Sequence, residues 1–206
     1  LYLNEEFSAG REIALSDDHV HYLRNVLRLQ AGQGLRVFNG RDGEWLARID
    51  AAELTALDTE TTSIDEMQAR IVGISFSVAP GAAAYIPLAH EGPDAPTQLP
   101  MDEVLARLKP WLENPAKKKL GQHIKYDRHV LANHGIEVAG YAHDTMLQSY
   151  VLEVHRPHGL ASLAERHLGR SGINYEDLCG KGAHQIPFAQ VPVDKAAHYS
   201  CEDSDQ

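Results

Sequence analysis

The sequence predicts an α/β protein over residues 51–206, a mixed β-sheet flanked by helices, behind a β-rich segment at residues 1–50. Three observations carry this prediction. The stretches "ELTALDTE", "ARIVGISFSV" and "AAAYIPLAH" are consecutive strand candidates separated by turn-rich residues. After them the chain alternates strand-like and helix-like segments. From Glu53, a Gly-punctuated, charged stretch gives way to this more regular pattern.

Within residues 1–50, "LYLN" and "EIAL" are strand-like. "SDDHVHYLRNVLRL" reads as a helix, with Ser16 as N-cap, Asp17 and Asp18 in the first turn, and Val20, Leu23, Val26 and Leu27 at helical spacing. "LRVFNG" and "GEWLARID" are two further strands joined by a turn at Asn39-Gly40 and Asp42-Gly43. Fifty residues are too few for a dependable core of their own.

Beyond Glu53, Pro80-Gly81 predicts a hairpin between the second and third strand candidates. A loop carrying Pro93, Pro96 and Pro100 leads into "MDEVLARLKPWLEN", an amphipathic helix that Pro110 is expected to kink or shorten. "KKLGQH" is a fourth strand candidate, and "IKYDRHVLANHG" a helix closed by Gly135. "HDTMLQSYVLE", "LASLAERHLG" and "VDKAAHYSCEDSD" read as further helices.

With 206 residues, the chain has room for one good core, or one core and a small module. Its 43% hydrophobic and 23% charged residues are those of an ordinary globular protein. No apolar run reaches the roughly 20 residues of a membrane-spanning helix, and no signal-like start is present, so the expected location is cytoplasmic. The formal charge of −10 argues against broad electrostatic adhesion to a duplex. It is compatible with an enzyme holding a few nucleotides beside metal ions. Cys179 and Cys201 form no ligand spacing and read as reduced thiols. The 12 histidines are scattered and match no zinc motif. The lysines at 117, 118 and 119 read as a solvated edge. The chain opens at Leu1 and stops at Gln206 inside a helical segment, so it reads as a fragment; a monomer is expected.

Asp58 and Glu60 stand two apart on a strand and so share one face. Two anions there repel unless a cation sits between them. An isolated D-x-E arises by chance about once in a chain of this size, so other acids must decide its meaning. Tyr199 and Asp203, four apart on a helix, put a phenol beside a carboxylate. Asp127 lies early in another helix. Together Asp58, Glu60, Asp127 and Asp203 offer oxygen ligands for two hard cations about 4 Å apart, the arrangement that supports phosphodiester cleavage.

On "LDTETTSID", "IVGISFSV", "AAAYIPLAH", "GQHIKYDRHVLANHGIE", "DTMLQSYVL", "SLAERHLG", "GKG" and "YSCEDSD", residues 51–206 resemble the proofreading 3′-5′ exonuclease domain of family A bacterial DNA polymerases, of the tyrosine-bearing DEDD type. The resemblance implies an RNase H-like fold, two divalent ions (Mg2+ or Mn2+), a single-stranded DNA 3′ end as substrate, and a covalently linked polymerase domain as usual partner. It implies that Asp58 bridges both metals, Glu60 and Asp203 complete the first site, Asp127 serves the second, and Tyr199 orients the nucleophile. It further implies substrate contacts from Thr61, Ile64, Gln122, His123, Tyr126, Tyr175 and Arg156. Ile64 would wedge against the terminal base and Tyr175 would stack on one. His123 departs from the Asn expected there in many relatives. Asp144 reads as a helix N-cap, and Asp205 as structural because it points off the Tyr199–Asp203 face.

"HYLRNVLRL" and "LRVFNGRDGEW" resemble the PUA-like RNA-binding domain of the 16S rRNA uridine-N3 methyltransferases. That segment is expected to be a partial domain without methyltransferase activity. "WLARID" suits either side of the junction, which suggests a seam between two unrelated proteins, a misjoined or recombined frame, with a natural fusion as the alternative. Two further readings of residues 51–206 stand beside the DNA exonuclease: an RNA-trimming DEDD exonuclease, and a non-catalytic nucleic-acid-binding scaffold.

Overall fold

The computed structural model describes residues 54–92 and 95–206. The element expectations for residues 1–50 lie outside them. Strands β1 (Leu54–Thr61), β2 (Ile71–Ala79) and β3 (Ala82–Pro87) form an antiparallel meander. Gly81 makes the β2–β3 turn with φ of 77°, a conformation that costs glycine little. Strand β4 (Lys118–Gly121) lies parallel to β1, and β5 (Tyr141–Asp144) parallel to β4, giving the order β3-β2-β1-β4-β5.

Among the described residues six α-helices connect and flank the strands: α1 (Met101–Leu112), α2 (Ile124–Asn133), α3 (Thr145–Leu152), α4 (Leu160–Leu163), α5 (Tyr175–Cys179) and α6 (Val193–Asp205). Pro110 does not stop α1. It sits two residues from the helix end, where the amide it lacks removes a single bond to the Ala106 carbonyl. Val104, Leu105, Leu108 and Leu112 form the buried stripe of α1. Gly135, with φ of 74°, closes α2 as expected. The helix expected from His143 begins two residues later, because His143 and Asp144 belong to β5. The helix expected over residues 160–169 loosens after Leu163 into a π-helical turn, Ala164–Leu168.

Two cores form, one on each face of the sheet. Leu57, Ile74 and Phe76 pack with α1 and with Val130 and Leu131 of α2. On the other face Val72 and Tyr85 pack with Phe188, Val191 and Ala196. Each large aliphatic side chain buried this way contributes about 1.5–3 kcal/mol. Lys119 departs from the solvated-edge expectation. It is fully buried, and its ammonium donates to the carbonyls of Lys117 (2.8 Å), Ala139 (2.9 Å) and Asn114 (3.3 Å) while lying 4.4 Å from the centre of the Trp111 ring.

Candidate active site

Strand β1 leads to β2 on one side and has β4 on the other, and it runs on past the point where β4 pairs with it. A crevice at the carboxyl ends of such strands, where the strand order reverses, is the usual ligand position of α/β sheets. The end of β1 carries "LDTET" into that position. Asp58 pairs with Ser75 and Glu60 with Gly73 across β2, so both point to the face covered by α6. There Ser200 of α6, itself fully buried, donates its hydroxyl to Glu60 Oε1 at 2.6 Å. Helix α2 brings Asp127, whose Oδ1 accepts from the Thr59 amide at 3.1 Å and the Thr59 hydroxyl at 2.6 Å. Helix α6 brings Asp203 and Tyr199, one turn apart, with the phenol hydrogen-bonded to the carboxylate.

These groups sense one another. Burial raises the Glu60 carboxyl well above the usual range, and the charges of Asp58, Asp203 and Asp127 add to it. Burial, then the Asp58 charge, does the same to Asp127. Burial lifts Asp58 to about 6. Asp203 is lifted to about 7, by burial first and the Asp58 charge second. Burial and the adjacent acids hold the Tyr199 phenol protonated far beyond its ordinary range. All four carboxylates are thus held where their charge is opposed, which a cation would reverse.

The donor chemistry fits a hard cation: oxygens only, on four converging acids. Among the described residues, however, no three His, Cys, Asp or Glu side chains already stand together as ligands of one ion. Glu60 and Asp127 each accept a hydrogen bond from a hydroxyl of the protein.

The residues expected to hold substrate stand as follows. Thr61 and Tyr126 share a hydroxyl–hydroxyl contact, and both also reach the Ser63 carbonyl, which ties the end of β1 to α2. Ile64 is 96% exposed just beyond them. Gln122 donates to the His158 carbonyl at 2.8 Å and accepts from Thr145 at 2.5 Å, joining the β4–α2 turn to the loop that carries exposed Arg156. His123 is the one described non-glycine residue with positive φ, 61°, and its ring stacks near Tyr126. This left-handed conformation suits Asn better than His. Tyr175 stacks on Phe188 with ring centres 6.3 Å apart, and Phe188 lies 6.1 Å from Tyr199.

Sequence reasoning missed Thr59, Ser200 and the wider role of Asp144. Asp144 caps α3 as expected, accepting from the Leu147 amide, but it also accepts from the amides of His123 and Ile124 at the start of α2. A serine buried on the face of α6 that carries Asp203 was the available signal for Ser200.

Comparisons with known proteins identify the family. A family model described as 3′-5′ exonuclease matches residues 43–206, and a model of an RNA methyltransferase PUA domain matches residues 15–58. DNA polymerase I of Pseudomonas aeruginosa is 52% identical over 164 residues, covering 78% of this chain and 18% of the relative. The ribosomal RNA small subunit methyltransferase E of Rickettsia conorii is 51% identical over 51 residues, 24% of this chain and 21% of the relative. Among solved structures, Escherichia coli RNase D superposes with a TM-score of 0.54 over 76% of this chain and 37% of that one, at 20% identity, a likeness of fold. The fold is a mixed sheet flanked by helices, of the RNase H-like kind. The chain belongs to the 3′-5′ exonuclease family of the DNA polymerases I, and it spans about a fifth of the length of the curated polymerases that it matches.

Proposed function

We propose that residues 51–206 remove nucleoside monophosphates from single-stranded or frayed DNA 3′ ends, with Asp58, Glu60, Asp127, Asp203 and Tyr199 as the reacting site. The observation that carries this reading is that four carboxylates from β1, α2 and α6, far apart in sequence, are near enough to raise one another's protonation. Two divalent ions, Mg2+ or Mn2+, bound there supply water activation and charge stabilisation at the departing 3′ oxygen. In this reading Asp58 would serve both ions, Glu60 and Asp203 one of them, and Asp127 the other. Tyr199 stays protonated at neutral pH, so it orients the attacking water rather than removing its proton. Exposed Ile64 and Tyr175 offer apolar surfaces to unstacked bases, contacts worth about 1–3 kcal/mol each. Thr61, Gln122, His123, Tyr126 and Arg156 line the path of the strand.

The preference for DNA follows from the polymerase relatives, and paired DNA and RNA oligonucleotides of one sequence test it. The protein acts as a cytoplasmic monomer in this reading, and among the described residues no helix is long and apolar enough to cross a membrane. The exonuclease unit begins near residue 51 and the preceding segment is a partial PUA-like module. The overlap of the two family matches over residues 43–58 supports a junction there. Genomic sequence read continuously through residues 45–55 tests whether the junction is natural. The activity itself is tested by Mg2+- or Mn2+-dependent release of mononucleotides from a labelled oligonucleotide. Cleavage that survives both Asp58→Ala and Asp203→Ala refutes the assignment.

A further inference from the structure

Helix α6 is fastened at two places by the two ends of edge strand β3. Just before β3, the Gly81 amide donates to Asp205 Oδ1 at 2.6 Å, at the last residue of α6. Arg170 donates to the other oxygen of Asp205 at 3.2 Å. Three residues after β3, His90 Nδ1 meets the Val191 carbonyl at 3.1 Å, immediately ahead of α6, and the Glu91 amide donates to the Ala189 carbonyl at 2.7 Å. A carbonyl can only accept, so Nδ1 carries the proton and Nε2 is the acceptor. The Tyr85 hydroxyl, 2.7 Å away, therefore donates to Nε2. Tyr85 lies across Gly73, where a Cβ would come within 2.0 Å of the phenol oxygen, and Gly73 is the cross-strand partner of Glu60. The same bonds that hold α6 thus reach the sheet surface beside Glu60.

We propose that His90 and Asp205 are positioning residues that set the register of α6 along β3, and so the placement of Tyr199 and Asp203 against Asp58 and Glu60. This rests on the exonuclease reading of the site. The geometry makes register decisive. A helix that slips by one residue moves its side chains about 1.5 Å along its axis, whereas metal–ligand distances tolerate about 0.2 Å. Asp203 lies two residues from one fastening, and among the described residues α6 alone brings the fourth carboxylate. Outer partners of metal ligands typically matter 10- to 100-fold in affinity or activity. Neither His90 nor Asp205 is placed to touch substrate or metal, so their effect passes through the position of α6.

The test uses the full chain and compares Asp205→Ala, Asp205→Asn and His90→Phe with the unaltered protein. Asn retains an acceptor for the Gly81 amide, whereas Ala does not. Mn2+ affinity is measured by electron paramagnetic resonance without substrate. The kcat and KM are measured on a 3′-labelled single strand, and circular dichroism establishes folding. The expected result for Asp205→Ala and His90→Phe is Mn2+ binding weakened about tenfold and kcat lowered by a similar factor, with KM unchanged within about twofold. Asp205→Asn recovers most of both. A folded Asp205→Ala chain with unaltered Mn2+ affinity and kcat overturns the inference while leaving the nuclease assignment intact, whatever the folding of His90→Phe. Should the unaltered chain release no nucleotide with any divalent ion, the exonuclease reading fails, and the positioning role fails with it.

Discussion

Replacing Asp58 by Asn is expected to abolish nucleotide release while making the metal-free protein more stable at pH 8. Burial raises the Asp58 carboxyl from 3.8 to about 6 in the folded state. A group whose folded value lies above its unfolded value stabilises the fold fully below the unfolded value, and that contribution is lost as pH rises through the folded one. Between about pH 4 and 6, Asp58 thus works progressively against folding. Each pK unit corresponds to about 1.4 kcal/mol, so the penalty at pH 8 is on the order of 3 kcal/mol. Asp58 keeps part of its surface in solvent, which makes this figure an upper bound. Asn has nearly the same shape and no charge, and it also relieves the Asp58 contribution to Glu60, Asp127 and Asp203. For a domain of this size about 1 kcal/mol moves Tm by roughly 2–4 °C. Thermal denaturation in EDTA should show Asp58→Asn melting several degrees above the unaltered protein at pH 8, with the two curves converging only as pH falls below 3.8. Equal or lower stability of the variant at pH 8 would refute the account of a strained acid cluster, and retained nuclease activity would refute the role of Asp58.

Four further outcomes follow from the same geometry. Saturating Mg2+ should raise the Tm of the unaltered protein more at pH 8 than at pH 5, where Asp203, with a value of about 7, is largely protonated; titration calorimetry should show proton release on binding in that lower range. His123→Asn should stabilise the fold by a few tenths of a kcal/mol, up to about 1, with nuclease activity retained, because Asn tolerates the φ of 61° better than His; urea denaturation measures this. Gly73→Ala should lose about 1–3 kcal/mol by the same method, since its Cβ displaces the Tyr85 ring. Ile64→Ala should leave stability within about 0.5 kcal/mol while raising KM for single-stranded ends, because the side chain is 96% exposed and packs on nothing that holds the fold.

What the sequence discloses, and what it withholds, follows from the range of the interactions involved. The β1–β3 meander is legible because its signals are local: apolar runs of strand length broken by Pro80-Gly81. Strand β5 is not, because "YAHD" is four residues at an edge, with Ala142 and His143 exposed, and it owes its extended form to pairing with β4. The π-helical turn at Ala164–Leu168 leaves no mark in a segment whose composition reads as a continuous helix. Lys119 shows the same limit: three successive lysines read as solvated, yet carbonyls from three separate positions enclose the third. The acids are legible as residue types at particular spacings, but the hydroxyls that hold them are not. Thr59 lies between Asp58 and Glu60, yet it serves Asp127, 68 residues away, while Ser200 serves Glu60 at a separation of 140.

That division bears on how the site works. The four carboxylates of the proposed site are individually destabilising, each raised by burial and most by one another, so the fold must supply the free energy that keeps them together. It does so from opposite sides of one sheet. Helix α2 is anchored in the core around Leu57 and Leu131, and α6 in the core around Tyr85 and Phe188. Asp127 therefore depends on one core, and Asp203 with Tyr199 on the other, while Asp58 and Glu60 sit on the strand between them. Loosening either core should separate one carboxylate from the rest before the sheet itself gives way. Metal affinity is then the more sensitive measure of damage, and it should fall at denaturant concentrations that leave the β-sheet signal intact.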